Sequence, residues 1–426
     1  MPRAKYLALI AVAACAGLTG ALLRVLQVHL DPPLLALVSG GAVMGAAFLL
    51  VWACDAAQAD ISQSLALALV ALIAVLPEYA VDMYFTWQAG QFPGGDYAHY
   101  AIANMTGANR LLIGVAWAVI AVICWLKTRR PVTLDAERRV ELLFLGAATV
   151  YALVVTAKGS LTWVDGLVFL ALYATYITIA SRRPCAETEV KGPASLLTSL
   201  PKVKRRIATA AMFAFSAGAI LASAEPFCEG LVSTGKAWHI NEFLLVQWLA
   251  PLASEMPEFV VAIMLAVRGQ GALAFASLLS AKVNQWTLLV GMIPGVFALS
   301  SRALHPPIPL GTFQMHEVLL TAAQSLLAVI ILAGMRFSIA HAALLFGLFA
   351  GQLVAPQLVA ALPGGELFGV PADHMHQLFS LLYFIAALAI IVERPGGIAS
   401  LWRRAERSEE PTEGRPAEVT ATMGHG

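Results

Sequence analysis

The residues best suited to chemistry are two glutamates, each of which follows a proline inside an otherwise apolar run. The pairs are Pro77-Glu78 and Pro257-Glu258. Because a carboxylate near the centre of a bilayer costs about 2.5–3.5 kcal/mol on insertion scales, each glutamate should face a bundle interior, a water path or a cation. Proline also frees backbone carbonyls in the preceding helical turn. The pattern therefore predicts two broken helices that together supply a cation site.

Each Pro-Glu run is followed by a second apolar run with small and polar residues near its start. Asn104 and Asn109 lie in the first of these runs, and Ser277 lies in the second. Small residues let helices approach closely, and polar side chains supply oxygens. We therefore expect each half of the chain to bring one carboxylate and one neutral polar group together.

The composition is that of a polytopic membrane protein. Of the 426 residues, 59% are hydrophobic and only 12% are charged, which is far more apolar than a soluble domain of this size. The net charge of +1 and the scattered basic residues argue against a nucleic-acid partner. The expected partners are the lipid bilayer and inorganic cations. No enzymatic activity and no cofactor are expected, and the oligomeric state stays open.

The apolar runs predict an all-α protein with about 12 membrane-spanning helices, since about 20 residues cross the hydrocarbon core. The runs are 6–27, 33–54, 62–88, 98–125, 139–157, 163–181, 207–233, 243–267, 271–299, 316–334, 338–361 and 375–393.

The order of these runs predicts two inverted five-helix repeats with one extra helix at each end. Each repeat carries its Pro-Glu pair on its second span, and an odd number of spans separates corresponding helices. The predicted segments are an extra N-terminal helix at 1–32, a first repeat at 33–181, a basic cytoplasmic linker at 182–206, a second repeat at 207–361, an extra C-terminal helix at 362–395 and a disordered tail at 396–426.

The distribution of Lys and Arg predicts that both termini are cytoplasmic. The predicted outer loops 28–32, 89–97 and 362–374 contain neither residue, whereas the linker 182–206 is basic. We expect an integral protein of a bacterial inner membrane. The sequence Val12-Ala13-Ala14-Cys15 is similar to a lipoprotein cleavage box, but the apolar run continues well beyond Cys15, so we expect no cleavage.

On these motifs the chain resembles the cation/calcium exchanger superfamily, which includes the sodium/calcium exchangers. That family repeats Gly-Thr/Ser-Ser-Leu-Pro-Glu, followed one helix later by Gly-Asn/Asp-x-x-Gly-Ser-Asn. Leu76-Pro77-Glu78 and Met256-Pro257-Glu258 match the first element, and Asn104, Gly107 and Asn109 match the second. The resemblance implies that Glu78, Glu258 and Asn104 are cation ligands, with Ser254 and Ser277 at further ligand positions and Asn109 as an additional candidate.

The chain departs from the family pattern at several ligand positions. Ala74 and Val75 replace hydroxyl residues, and Glu255 replaces a serine. Asp82 adds an acid one turn after Glu78, and Lys282 replaces the final asparagine of the second half. Since calcium prefers six to eight oxygens, these changes favour sodium or proton chemistry over a calcium site of the family type.

The predicted function is secondary active antiport, in which Na⁺ and/or H⁺ exchanges against Ca²⁺ or Na⁺ at a midplane site. Burial favours a protonated carboxyl group and a bound cation favours the charged one, so the two ions compete for the same oxygens. Lys282 or Arg110 would pair with the emptied carboxylates as an internal counter-charge.

Several alternatives stay open at this point. Glu78 and Glu258 could form structural ion pairs with Lys282 or Arg110, and Asn104, Ser254 and Ser277 could serve in helix packing. Asp82 and Glu255 are additional candidate cation ligands, and they could instead line an access path. At the level of function, the alternatives are an exchanger fold kept as a scaffold or sensor, and a membrane-embedded hydrolase.

Overall fold

The computed structural model describes residues 2–60, 75–182, 192–303, 307–308, 310–367 and 369–396. Its helices are α1 (Pro2–Val25), α2 (Pro32–Ala57), α3 (Leu76–Gln91), α4 (Tyr97–Leu111), α5 (Trp117–Thr128), α6 (Arg139–Lys158), α7 (Trp163–Ala180), α8 (Ala194–Thr198), α9 (Lys202–Trp238), α10 (Glu242–Val267), α11 (Gly271–Asn284), α12 (Val290–Ser301), α13 (Thr312–Leu332), α14 (Ile339–Ala360) and α15 (Met375–Glu393).

The described part of the chain contains 11 helices long and apolar enough to cross a membrane. They correspond to all the predicted runs except 62–88, of which residues 62–74 lie outside the described residues. The all-α membrane fold is therefore confirmed, while the total of 12 spans stays a prediction. The predicted disordered tail lies outside the described residues, apart from Gly396.

Short strands and 3₁₀ turns lie in the connections between the long helices. Strand β1 (Val132–Thr133) pairs antiparallel with β2 (Arg336–Phe337), and β3 (Glu366–Leu367) pairs with β4 (Val370–Pro371). Short 3₁₀ turns at Ala136–Arg138 and Ala372–His374 precede α6 and α15. The β1–β2 contact ties the loop after α5 to the loop after α13.

Local sequence sets the tight turn between α6 and α7. Gly159 ends α6 with a φ of 73°, a left-handed conformation that glycine adopts without strain. Thr162 and Asp165 then form a capping box, in which Asp165 accepts a hydrogen bond from the backbone N–H of Thr162 at 2.6 Å. Asp165 also forms an ion pair with Lys158. The two helices are thus fixed as an antiparallel pair.

The bundle has two packing regions around its centre. The long helices α2 and α9 pack along each other, with α1 against both. The main apolar core lies among α4, α5, α11, α12 and α13, where the rings of Trp117 and Phe275 pack at an angle of 47° with 4.9 Å between their centroids. Helices α3 and α10 run between these regions, and they carry the two Pro-Glu pairs.

The helices that follow the Pro-Glu pairs share an unusual internal order. A five-residue π-helix joins α4 to α5 at Leu112–Ala116, and another joins α11 to α12 at Gln285–Leu289. The left-handed residues Arg129 and Arg302, with φ of 54° and 52°, end the two segments. All these features recur at the spacing of 173 residues that also separates Asn109 from Lys282. Single-turn π-helices are frequent at functional sites.

The predicted linker 182–206 is partly helical where it is described. Residues 183–191 lie outside the described residues, α8 occupies Ala194–Thr198, and α9 already begins at Lys202. Arg205 holds Asp60 through two hydrogen bonds of 2.6 and 2.8 Å. This hydrogen bonding, together with the charge of Arg206, lowers the pKa of Asp60 to about 2. The pair joins the end of α2 to the start of α9.

Candidate functional site

The first Pro-Glu pair lies in the first turn of α3. The helix begins at Leu76, and proline is tolerated there because the N–H it lacks would have no intrahelical partner. Glu78 and Asp82 are one turn apart and lie on the same face of α3. Their exposed fractions are 3% and 0%. The start of α3 therefore buries two carboxyl groups.

The second Pro-Glu pair lies inside a continuous helix, so the prediction of a break was wrong here. α10 runs from Glu242 to Val267 through both Pro251 and Pro257. Pro251 leaves the carbonyl of Gln247 without its helical donor, and Gly107 of α4 packs directly on that oxygen. A Cβ atom at residue 107 would lie 1.9 Å from it. Neighbouring helices of this kind allow proline to be tolerated in a membrane-spanning helix.

The structure brings four acids from α3 and α10 into one cluster, which we call the acidic cluster: Glu78, Asp82, Glu255 and Glu258. The carboxyl group of Glu78 lies close enough to interact electrostatically with those of Glu258 and Asp82, and Glu255 interacts with both Glu78 and Glu258. Glu255 is buried, and Glu258 is partly exposed. The side chain of Gln285, from the second π-helix, lies beside Glu78 and Glu255.

Apart from the nearby side-chain amide of Gln285, most of these buried carboxylate oxygens have no hydrogen-bond partner within the described ranges. They are Oε1 of Glu78, Oδ2 of Asp82 and both side-chain oxygens of Glu255. Buried polar atoms are nearly always hydrogen-bonded in folded proteins, so such a group of exceptions requires an explanation. A bound cation, or protons shared between neighbouring carboxyl groups, would satisfy these oxygens.

Asn104 is oriented by the acidic cluster. Its Nδ2 donates a hydrogen bond to Oδ1 of Asp82 at 3.1 Å, while its own Oδ1 is buried and has no partner in the described part of the chain. The amide oxygen is therefore available to a cation beside the free oxygen of Asp82. This geometry is compatible with both interpretations of Asn104, as a hydrogen-bonded contact between helices and as a cation ligand.

Lys282 is directed at Asn109 and not at a carboxylate. Its Nζ donates to Oδ1 of Asn109 at 2.6 Å and lies 4.7 Å from the centroid of the Trp286 ring. The side chain is completely buried, and its charge still acts on Glu255 and Glu78. Asn109 thus serves as an acceptor for Lys282, and the lysine is placed to act on the acids at longer range.

Arg110 lies in a different cluster, which sequence analysis did not predict. Its guanidinium group forms an ion pair with Glu317 of α13 and lies 5.2 Å from the centroid of the Trp248 ring. The structure therefore does not place Arg110 as a partner for Glu78 or Glu258. Its charge is already compensated by Glu317.

The two predicted serine ligands bond within their own helices. The hydroxyl of Ser254 donates to the carbonyl of Ala250 at 3.1 Å, and that of Ser277 donates to Ala274 at 2.9 Å. Ser254 is buried next to Glu255, whereas Ser277 lies on an exposed face of α11. The hydroxyl of Ser277 is thus bonded to its own helix and not to a carboxylate of the acidic cluster.

Structural ion pairing does not account for the two Pro-Glu acids. Among the described residues, the buried carboxylates with ion pairs are those of Glu317, Glu141 and Asp165, and neither Glu78 nor Glu258 is among them. The acidic cluster therefore keeps its oxygens open to a ligand.

A family model described as "Sodium/calcium exchanger protein" matches residues 32–182 and 208–356, which is well over half of the chain. The chain belongs to this family. The two matched segments contain both Pro-Glu pairs and end before α15, so the family resemblance seen in the motifs is confirmed.

Similar proteins include one solved structure that covers almost the whole chain. The H⁺/Ca²⁺ exchanger CAX is 41% identical, with a TM-score of 0.86, over 95% of this chain and 98% of that chain. A sodium-calcium exchanger structure is 18% identical over 79% of this chain and 99% of that chain, with a TM-score of 0.49. An uncharacterized membrane protein of Methanocaldococcus jannaschii is 23% identical over 235 residues, covering 54% of this chain and 68% of that protein.

The buried position of Glu317 was not predicted, although the sequence contained a signal for it. Glu317 is the second residue of the predicted run 316–334, so its position suggested a span end. In the structure α13 begins at Thr312, and Glu317 is more than one turn inside it and completely buried. Gln314, Gln324 and Thr321 on the same helix mark α13 as unusually polar for an apolar core helix. That polarity was the available clue.

Proposed function

We propose that this protein is a secondary active cation antiporter that exchanges H⁺ and/or Na⁺ against Ca²⁺ or Na⁺. The exchange site is the acidic cluster between α3 and α10, which would open alternately to the two sides of the membrane. The observation that carries the proposal is the group of buried carboxylate oxygens without partners in the described residues. Such oxygens are satisfied when a cation or protons occupy the site.

The cluster has the physical property that exchange requires. Four neighbouring carboxyl groups cannot all remain charged in a low dielectric, because burial and mutual repulsion both act against the charged forms. Either protons or a metal cation can neutralise them. Because both ions use the same oxygens, the binding of one promotes the release of the other.

Among the possible pairs of exchanged ions, H⁺ and Ca²⁺ have the most support. Calcium takes six to eight oxygen ligands, and the acidic cluster with Asn104 offers several carboxylates and an amide oxygen. Glu255 adds a carboxylate where the sequence motif has a hydroxyl, which gives protons one more binding group. The relative with 41% identity is an H⁺/Ca²⁺ exchanger.

Lys282 would act as the internal counter-charge of the empty site. Its charge reaches Glu255 and Glu78, while its hydrogen bonds to Asn109 keep it from occupying the position of the cation. An empty cluster is thereby less negative when the protein changes the side to which it opens.

We also propose that segments 33–181 and 207–361 are inverted repeats, joined by the linker 182–206 in the cytoplasm. The recurrence of the π-helices, α5 and α12, and two left-handed arginines at one spacing supports this division. The repeats would insert in opposite directions in a bacterial inner membrane, with both termini in the cytoplasm.

Flux across reconstituted vesicles tests the proposed function. We expect an imposed proton gradient to drive Ca²⁺ uptake, with Na⁺ and K⁺ gradients compared one at a time. Glu78→Gln should reduce uptake to that of empty vesicles, whereas Glu137→Gln, the same change at an exposed residue before α6, should not. Uptake at the wild-type rate in Glu78→Gln would refute the site. A folded protein with no flux of any cation would favour a scaffold or sensor.

A further inference from the structure

A second buried polar cluster ties three helices together around Glu317 of α13. Glu317 is completely buried, and its Oε2 accepts hydrogen bonds from Arg110 of α4 and from the side chain of Gln247 of α10. A charged residue removed from water this completely is held by its partners, and loss of any one partner leaves an uncompensated group. We call Glu317, Arg110, Gln247 and His376 the Glu317 cluster.

The Glu317 cluster acts on the same two helices that position the acidic cluster and the lysine. Arg110 directly follows Asn109, which accepts the hydrogen bond of Lys282. Gln247 lies two turns before Ser254 and Glu255 on α10, and its carbonyl is the atom on which Gly107 packs. A displacement of Glu317 would therefore displace α4 and α10 together.

The cluster reaches the end of the bundle through His376 of α15. The Nδ1 atom of His376 lies 2.8 Å from Oε1 of Glu317, and the histidine side chain is 16% exposed. A cavity of about 270 Å³ is lined by Arg110, Gln247, Asp373 and His376, among others. Water can thus reach His376 from the face that carries loop 362–374, which is predicted to be the outer one.

We propose that Glu317 is a positioning residue for the acidic cluster, and that protonation of His376 from this face regulates it. The proposal goes beyond the proposed function, because α15 lies outside the segments that the family model matches.

The physical basis is a change in the strength of one contact. A neutral His376 gives Glu317 at most an ordinary hydrogen bond, whereas a protonated one gives an ion pair of roughly twice that strength. Histidine is the side chain that changes charge between about pH 5 and 8. Protonation draws Glu317 more firmly towards α15, which restrains α4 and α10 and slows the change of the side to which the site opens.

The surroundings of His376 contain charges of both signs. They are the carboxyl groups of Glu317 of α13 and Asp373 of the preceding turn, the guanidinium group of Arg110 of α4 and the imidazole of His316 of α13. His374 is hydrogen-bonded to Asp373 at 3.0 Å, and His316 lies 2.7 Å from the amide nitrogen of Gln377. His374 and His316 are therefore engaged by partners other than Glu317.

The test measures exchange in oriented vesicles while the pH on this face alone is varied, with the opposite side held constant. Proton competition at the acidic cluster changes KM, and protons acting as the exchanged ion change kcat equally in the wild type and in His376→Gln, whereas the proposed regulation changes kcat in the wild type alone. We expect the ratio of the wild-type kcat to the His376→Gln kcat to fall several-fold from about pH 7.5 to about pH 5.5. Glutamine can donate a hydrogen bond to Glu317 without titrating, so this ratio isolates the effect of His376. His374→Gln is the matched control and should behave as the wild type does.

A kcat that falls equally in the wild type and in His376→Gln would overturn the proposal. A second measurement does not depend on transport. The thermal midpoint of the wild type in detergent should rise on acidification relative to that of His376→Gln, and equal responses would also overturn the proposal. If no variant transports any ion, the proposed function fails while this comparison still decides the role of His376. Glu317→Asp should restore part of the pH response of kcat that Glu317→Gln removes.

Discussion

Two groups of charged side chains that are buried in the described part of the bundle differ in the charges that surround their carboxylates. In the acidic cluster, Glu78, Asp82 and Glu255 keep oxygens without partners in the described residues. In the Glu317 cluster, Oε2 of one carboxylate accepts hydrogen bonds from Arg110 and Gln247, and Nδ1 of His376 lies 2.8 Å from its Oε1. Carboxylates beside like charges suit a ligand that binds and leaves, whereas a carboxylate that is paired with a buried arginine suits a fixed contact between helices. The acidic cluster is therefore suited to ion exchange, and the Glu317 cluster is suited to positioning the helices around it.

The largest expected effect sharpens this contrast at the acidic cluster. Glu258→Gln should reduce exchange to background, because it removes a charge that the transported cation requires. The free energy of unfolding should stay within about 1 kcal/mol of the wild type, since the variant also removes a charge that repels the neighbouring carboxylates of the acidic cluster. Flux in vesicles and unfolding in detergent, measured on the same preparation, check both parts. Loss of both stability and flux in this variant would show that Glu258 has a structural role.

The opposite result is expected at the Glu317 cluster. Glu317→Ala should lower the free energy of unfolding by about 3–5 kcal/mol, because Arg110 then remains buried without its counter-ion. Equilibrium unfolding in detergent measures this loss. The double variant Arg110→Met with Glu317→Leu should regain most of it, since no buried charge is left alone. If the single variant is as stable as the wild type, the pair of Glu317 and Arg110 does not hold these helices together.

A smaller effect is expected from the internal counter-charge. Lys282→Met removes a cation that acts on Glu255 and Glu78, so the site should bind the transported cation several-fold more tightly, equivalent to about 1–2 kcal/mol at an effective dielectric of about 20. The turnover rate should fall, because release is slower. Cation binding by isothermal calorimetry measures the first change. Lys127→Met, at an exposed lysine at the end of α5, is the control.

The smallest effect concerns a charge pair outside the membrane. Arg205 and Arg206 lower the pKa of Asp60 to about 2, so the carboxylate contributes stability above the ordinary carboxyl pKa of about 4, and that contribution is lost as the pH falls through about 2. Asp60→Asn should therefore lower the thermal midpoint slightly at pH 7, and the difference should vanish towards pH 2. A difference that is the same at both pH values would exclude the ion pair as its source.

The membrane fold was predictable from the sequence because each span is determined by its own composition. Eleven predicted runs have corresponding helices whose ends differ from the prediction by only a few residues, apart from the long α9 and the earlier start of α13. The gathering of Glu78 and Glu258 was predicted from the repeated Pro-Glu motif. These features depend on local hydropathy and on a repeat, both of which a single sequence contains.

The partners of the polar side chains could not be predicted in the same way. Arg110 and Lys282 were equivalent candidates as counter-charges, yet one is held by Glu317 and the other by Asn109. Ser277 occupies the position that corresponds to Asn104 at the repeat spacing, but its helix turns the hydroxyl to an exposed face. Such contacts depend on how each helix is rotated about its axis and on which helices pack beside it. Neither follows from composition.

The sequence by itself determined the membrane-spanning helices, the two acids and their family, because burying apolar runs in a bilayer and repeating one motif are properties of the chain alone. The tertiary structure decided the rest. It selected which of the buried carboxylates lie beside other acids and which one is paired with an arginine, since that depends on which helix faces meet. It also shows that α10 is continuous through both prolines, and that Gly107 of a neighbouring helix packs on the carbonyl that Pro251 leaves without its helical donor.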